Sequence, residues 1–334
     1  MKYKVVIGVD VSKNTLDFHS LLEGESVFHL QVSNDRKGIL KFYNRLKQEV
    51  GEEQHWLICM EHTGIYCNPL LAFAREKQLM IWLEDAVKIK AYHGLDRDKS
   101  DAVDARRIAE YAHAKRDKVR LWQPPRAIIT QLKNQLSLRE RLVSAKTRLT
   151  KPLNEDQRFA DKQWAKQHET LIQPVIEKLN AQIKEVEHKI RSLIKTDTKL
   201  KRYFELVCSV RGIGLIVGVN LIVASNEFIS IDDPKKMACQ CGVAPFKKES
   251  GTSYRSRPRV SHRANKHLKA LLHLAAMSAI SGQGELRDYY LRKVEEGKNK
   301  MAVINAVRNK IILRVFACIR DNRKYQNSYN TNLA

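Results

Sequence analysis

The stretch from Tyr3 to Asp17, YKVVIGVDVSKNTLD, decides how the N-terminal third is read. Tyr3 to Gly8 is an apolar, β-branched run of the kind that packs as a buried strand, and Asp10 follows at its end. Thr15 to Leu22 and Ser26 to Val32 are two more strand-like runs, separated by the turn-forming Glu23 and Gly24, as in a hairpin ladder. Asn34 offers an N-cap for a helix from Gly38 to Val50, with Ile39, Leu40, Tyr43 and Leu46 at helical spacing. Trp56 to Met60 reads as a buried strand, Ile65 to Lys77 as a helix and Met80 to Leu83 as a strand. Three early strands followed by alternating helix and strand predict a mixed α/β sheet.

The chain of 334 residues carries 60 Lys and Arg against 37 Asp and Glu, a formal charge of +23. Self-repulsion on that scale is relieved by a polyanion, which makes nucleic acid the first partner to consider. A basic membrane-surface protein would carry a basic amphipathic helix or a lipidation signal, and neither is read here. The N-terminus reads as a strand and not as a signal peptide. The apolar run Ile213 to Ala224 holds Asn220 and is too short for a bilayer. Six scattered cysteines without an export signal are expected to be reduced, in a cytoplasmic protein.

From about Ala127 to Leu200 the pattern changes to long helices. Leu171, Val175, Leu179, Ile183, Val186, Ile190 and Leu193 recur at steps of three and four, which predicts an antiparallel helix pair or coiled coil. Pro152 and the polar run Asn154 to Gln163 are expected to break it into two arms. The last third is expected to be mostly helical to about Asp321, with a frayed tail from Asn322 to Ala334. The resulting boundaries are 1–125, 126–200, 201–322 and 323–334.

Four acids stand out. Asp10 ends the first strand, Glu61 follows Leu57 to Met60, and Asp101 and Asp104 lie in KSDAVDARRIAEYA with Ser100 as N-cap. The i, i+3 spacing places Asp101 and Asp104 on one helical face, about 5–6 Å apart at Cβ. Carboxylates ending two strands and facing two more on a helix suit hard cations through oxygen ligands, and two Mg²⁺ ions would polarise a phosphodiester. Each acid also has an ordinary reading: Asp10 as a strand-end turn residue, Asp101 and Asp104 as complements to a helix dipole.

The blocks IGVDVSKNTLD, MEHTGIY and KSDAVDARRIAEYA resemble the three signature blocks of the DEDD insertion-sequence transposases. These are the "one-ten" family, related to the Piv-type DNA invertases and, in some members, guided by a bridge RNA. The resemblance maps the four family acids onto Asp10, Glu61, Asp101 and Asp104 and implies a RuvC-like, RNase H-type first domain. LVCSVRGIGLIVGVNLIVAS is similar to the helix–hairpin–helix-like start of the family's transposase domain, where Gly212 and Gly214 would let backbone N–H groups approach phosphate.

CGVAPFKKESGTS resembles the block that carries the family's nucleophilic serine, which maps onto Ser250, with Ser253 as the neighbouring alternative. A Ser-Gly pair is by itself an ordinary turn. Around it lie Lys247, Lys248, Arg255, Arg257, Arg259, Arg263, Lys266 and Lys269, opposed only by Glu249, a run suited to positioning phosphate. SHRANKHLKALLHLAAMSA is similar to the family's next helix, with Ala264 in place of the customary Gly and Lys269 in place of Arg. GKNKMAVINAVRNKIILRVFACI resembles the closing helix. A zinc site from Cys239, Cys241, His262 and His267 is disfavoured by the one-residue cysteine spacing.

The resemblance implies excision and site-specific insertion of a mobile element in a prokaryotic, nucleoid-associated setting. Metals held by the four acids would activate a DNA phosphodiester and Ser250 would attack it in one composite site. A structured RNA would choose the sites, and a homodimer or tetramer would be held through the long helices. The rival readings are a RuvC-like nuclease using water, and a non-catalytic nucleic-acid-binding protein.

Overall fold

The computed structural model describes residues 3–51, 55–94, 100–246, 249–250, 254–255, 259–261 and 264–326. The chain divides into two compact units, Met1–Pro124 and Pro125–Ala334.

The first unit is built on strands β1 (Val5–Val11), β2 (Thr15–Leu22), β3 (Glu25–Ser33), β4 (Trp56–Glu61) and β5 (Met80–Glu84). They form one sheet in the order β3-β2-β1-β4-β5. β1, β2 and β3 pair antiparallel as a meander, whereas β4 and β5 run parallel to β1. Helices α1 (Arg36–Val50) and α2 (Asn68–Glu76) supply Ile39, Phe42, Leu46, Leu70 and Phe73 to the core over one face. On the other face α3 (Ala86–His93) and α4 (Asp101–Ala114) supply Ile89, Ile108, Tyr111 and Ala112. Because both faces are covered, β1 and β4 are apolar almost throughout and show no polar alternation.

Local chemistry sets the joints. The cap of α1 is Asp35 and not Asn34: Gly38 N–H donates to Asp35 Oδ1 (2.8 Å). Asn34 instead donates to the carbonyls of Ser12 and Tyr66, tying the β1–β2 turn to the segment after β4. The helix expected from Ile65 begins as a short 3₁₀ turn, Gly64–Cys67, and becomes α-helical only at Asn68, with Pro69 in its first turn.

In the second unit α5 (Ala127–Phe159) and α6 (Lys162–Thr196) form a long helical hairpin, followed by α7 (Thr198–Cys208), α8 (Leu215–Ala224) and α9 (Pro234–Gln240). Four two-residue strands come next, β6 (Pro245–Phe246), β7 (Glu249–Ser250), β8 (Tyr254–Arg255) and β9 (Arg259–Val260), then α10 (Lys266–Ser281), α11 (Glu285–Glu295) and α12 (Lys300–Arg320). Ile129, Leu132, Leu136, Val186 and Ile190 from the hairpin share one core with Leu206, Val219, Leu272 and Ile311. The hairpin therefore grows out of the same core as the helices after residue 200.

Several expectations are corrected here. α5 runs through Pro152 without ending, and the break falls inside the expected polar run, at Ala160–Asp161, where Asp161 caps α6. The seam of α6 uses Ile176, Val186, Ile190 and Ile194, while Leu171 is 73% exposed and Val175 is also exposed. Gly212 has φ +88°, and a Cβ there would lie 2.2 Å from the Ala275 carbonyl oxygen, so this glycine lets α10 approach the turn. The tail is anchored at its start: Tyr325 N–H donates to Ser209 Oγ and its hydroxyl donates to Glu285 Oε2 (2.5 Å). Residues 327–334 lie outside the described residues.

Candidate active site

Strand alternation sorts the first unit's side chains. Val5, Ile7 and Val9 pack toward α1 and α2, whereas Val6 packs with α4, so Gly8 and Asp10 share the α4 face. Leu57 and Cys59 of β4 face the same way, and Glu61 continues that row. Val9 pairs with Met60, so Asp10 and Glu61 leave the sheet side by side at the C-terminal ends of parallel neighbours.

α4 brings the other two acids. Its first residue is Asp101, and Ser100 caps it by accepting from Val103 N–H (3.3 Å). Gly8 lets the helix lie directly on β1: an added Cβ would be 2.2 Å from the Ala105 carbonyl oxygen and 2.3 Å from Ala109 N. This contact sets α4 against the strand that carries Asp10, one turn from Asp104.

The electrostatics record the convergence. Burial pushes the Asp10 carboxyl up to about 6, and the charges of Asp101, Asp104, Glu61 and Asp17 push the same way. Glu61 is also raised, by burial first; Lys90 opposes this, and Asp104 and Asp85 add to it. Four carboxylates repelling one another in a half-buried site are poised to gain a divalent cation. Their oxygen-only donor set fits a hard ion of the magnesium, manganese or calcium class. Among the described residues no three His, Cys, Asp or Glu groups already form a metal cage. Asp104 is paired with Arg107 one turn on (3.4 Å).

Two more carboxylates, outside the four expected, lie close by. Asp17 is the strand partner of Asp10, is buried, and accepts from Gln31 Nε2 (2.9 Å) while facing His29 Nε2 (2.9 Å). Glu84 is paired with Glu61 across β4 and β5, and accepts from the Tyr111 hydroxyl (3.0 Å) and Lys88 Nζ (2.9 Å). Both have their oxygens engaged by protein donors, which suits them to framing the site. Their signal in the sequence was position: each sits at a strand end on the α4 face.

In the second unit Ser250 lies on β7, paired with Tyr254 of β8. β6 and β9 pair outside them in the sequence, so the described residues of this stretch form two short antiparallel ladders. No strand was expected here, because two-residue strands carry no readable periodicity. Glu249 pairs with Arg255, and Arg259 with Phe246. Lys266 is exposed and Lys269 half-buried on α10. Ser253, Lys247, Lys248, Arg257 and Arg263 lie outside the described residues, as does His262. Ala264, the departure from the family pattern, stacks on Gly242: a Cβ on that glycine would lie 2.6 Å from the Ala264 methyl. Cys241 is buried, with its thiol pushed up to about 12, and His267 faces Glu140 (3.2 Å).

Comparison with known families covers both units. Residues 7–155 match a family described as "Transposase", of the DEDD type, and residues 204–291 match the "Transposase IS116/IS110/IS902 family". The chain belongs to this transposase family. The first match contains all four acids and the second contains Ser250 and Lys269. The pilin gene-inverting proteins of Moraxella bovis and Moraxella lacunata are each 24% identical over 330 residues, covering 96% of this chain and 98% of theirs. A protein of insertion element IS116 from Streptomyces clavuligerus is 29% identical over 150 residues, 44% of this chain and 36% of that protein. As a member of this transposase family the chain is an enzyme of DNA transposition and recombination. Among the described residues no helix is long and apolar enough to cross a membrane.

Proposed function

We propose that this transposase excises and inserts a mobile DNA element by serine attack on phosphodiesters, with Asp10, Glu61, Asp101 and Asp104 as the metal-holding acids. The observation that carries the reading is that Asp10 and Glu61 end neighbouring parallel strands side by side on the α4 face, where burial and the charges of Asp101, Asp104 and Glu61 raise the Asp10 carboxyl. The strand order, with an antiparallel meander leading into parallel β4 and β5, supports the RuvC-like assignment of this unit. Bound Mg²⁺, two ions by the chemistry of such sites, would polarise the phosphodiester and stabilise the oxygens that attack and leave.

The chain's own residues do the rest. The four carboxylates fix where the phosphate sits, and α4, seated on Gly8, keeps Asp101 and Asp104 in register with Asp10. Ser250 is the nucleophile: its Oγ–P bond forms as the strand's P–O bond breaks, and its proton passes, directly or through solvent, to the departing oxygen, which leaves as a hydroxyl. Basic residues of 247–269 steady the phosphate charge. The phosphoserine link conserves bond energy for rejoining. Inversion, the activity named for the Moraxella relatives, needs that rejoining.

A second reading is favoured by the acids themselves: a RuvC-like nuclease needs only that set and water. One experiment separates the two. Protein, Mg²⁺ and element-end DNA are mixed and then denatured. A protein–DNA adduct abolished by Ser250→Ala and by Asp10→Ala supports the transposase chemistry, whereas cleaved ends from an active Ser250→Ala protein support the nuclease.

A bridge RNA and a cytoplasmic, nucleoid-associated location belong to the same reading, and sequencing nucleic acid co-purified with the protein tests the RNA. The net charge of +23 supports a polyanionic partner beyond the reacting DNA. A homodimer or tetramer joined through the helical hairpin is supported by exposed Trp164, Leu171 and Val175 on α6.

A further inference from the structure

Arg308 on α12 is 6% exposed and has no acid against it among the described residues. Its Nη2 donates to His273 Nδ1 (2.6 Å) and its Nη1 to Asn305 Oδ1 (3.4 Å), while its Nε finds no acceptor. Burial alone pushes its pKa below the arginine range. Other arginines of the unit are balanced differently: Arg126 by Asp197 and Glu227, Arg314 by Glu285. Burying a guanidinium without a counter-charge costs several kcal/mol, and more in a chain already this basic. If hydrogen bonds to an imidazole and an amide were all that was needed, a neutral side chain would serve.

The surroundings explain the charge. Asn305 Nδ2 donates to the Val243 carbonyl (2.8 Å), and Gly242 beside it lies against the Lys269 side chain, 3.5 Å from a built Cβ to Cδ. Lys269 and His273 are one turn apart on α10, as Asn305 and Arg308 are on α12. Lys269 and Asn305 touch the Gly242–Val243 turn directly, and Arg308 links Asn305 to His273; the turn leads through Ala244 into β6.

We propose that Lys269, His273 and Arg308 form an anion subsite that takes one backbone phosphate of a DNA strand beside the turn that leads into β6. Arg308 is its positioning residue. By donating to Nδ1 it leaves Nε2 as the ring nitrogen that carries a proton, so that His273 and Lys269, both half-buried and not sealed, offer donors to one phosphate. The phosphate supplies the negative charge that the interior omits. The inference rests on the reading of this unit as one that handles DNA.

The test uses the full-length protein, with Arg308→Met, Arg308→Lys and His273→Gln. Affinity for a DNA duplex is measured against salt, and thermal unfolding is followed in phosphate and in chloride at equal ionic strength. Arg308→Met should leave the melting temperature of the free protein unchanged or raise it, and should lower the slope of log affinity against log salt by about one. Phosphate should raise the melting temperature of the wild type and not of Arg308→Met. Arg308→Lys should keep the slope with weaker affinity. A melting temperature lowered by Arg308→Met with the salt slope unchanged would overturn the subsite, as would a slope lost for an RNA duplex and kept for DNA. If the wild type binds no DNA, the reading of the function falls, and the response to phosphate still decides the subsite.

Discussion

Gly8 of β1 and Ala105 of α4 meet backbone to backbone, with no room between them for a methyl group. The strand that carries Asp10 and the helix that carries Asp101 and Asp104 are thereby held at a fixed separation. Gly8→Ala must push α4 outward. Overpacking of this kind costs about 1–3 kcal/mol. A displacement near 1 Å between reacting groups costs about 10²-fold in rate. Denaturant unfolding and DNA cleavage should therefore part company, with activity lost far beyond the fraction unfolded. Equal, small losses in both would show that α4 does not set the acids.

Asp10 makes stability depend on pH in a defined direction. Its folded-state carboxyl titrates near 6, above the unfolded value of about 3.9. The folded protein thus holds a proton that the unfolded chain has released, and stability falls as pH rises from about 4 to 6. Asp10→Asn should flatten that fall and be the more stable protein at pH 7.5 in chelator. Added Mg²⁺ should raise the melting temperature of the wild type above pH 6, less so below it, and not that of Asp10→Asn. A wild-type profile that climbs through this window would refute the assignment.

Arg126 holds the start of α5 by two carboxylates: Nη1 donates to Asp197 Oδ2 (2.6 Å) and Nη2 to Glu227 Oε1 (2.6 Å). Glu227 is buried in a turn where Asn226, Glu227 and Phe228 all adopt positive φ, a conformation that costs energy for residues with a Cβ. Arg126→Met strands that carboxylate. The expected loss is about 3 kcal/mol, the low end for a broken buried pair, because the guanidinium is partly exposed. Arg126→Met combined with Glu227→Gln should recover part of it in urea unfolding, and a fully additive double variant would argue against the pairing.

Trp164 and Leu171 are exposed on α6, N-terminal to its first seam residue, Ile176. Replacing both by Ser should leave the melting temperature within about 1 °C, since surface changes are worth within about ±0.5 kcal/mol. If copies of the chain join there, light scattering should show a smaller assembly at the same concentration. An unchanged mass would move the contact elsewhere.

What the sequence disclosed follows from which forces are local. The placements of Asp10, Glu61, Asp101 and Asp104 are legible because strand ends and an i, i+3 pair are set by neighbours in the chain, and Ser100 caps α4 as read; their joint role came from the resemblance. The value of Gly8 was not legible, since it depends on a helix about a hundred residues later. Leu171 and Val175 were misplaced because repeated steps of four advance about 40° around a 3.6-residue helix, which carries the early members of the row off the seam. Pro152 misled in the other direction: its helix continues because the packing of α5 against α6 outweighs one missing hydrogen bond. The β6–β9 and β7–β8 ladders are pairings too short to leave a pattern.

The rooting of α5 and α6 in the core of the second unit makes their hairpin a ruler. Leu142 is the last residue of α5 that touches the shared core, so about 25 Å of helix projects beyond it to Phe159. Anything gripping the tip is held at a distance counted out in residues. Matched insertion of one heptad into each helix would lengthen that span by about 10 Å and leave the root untouched.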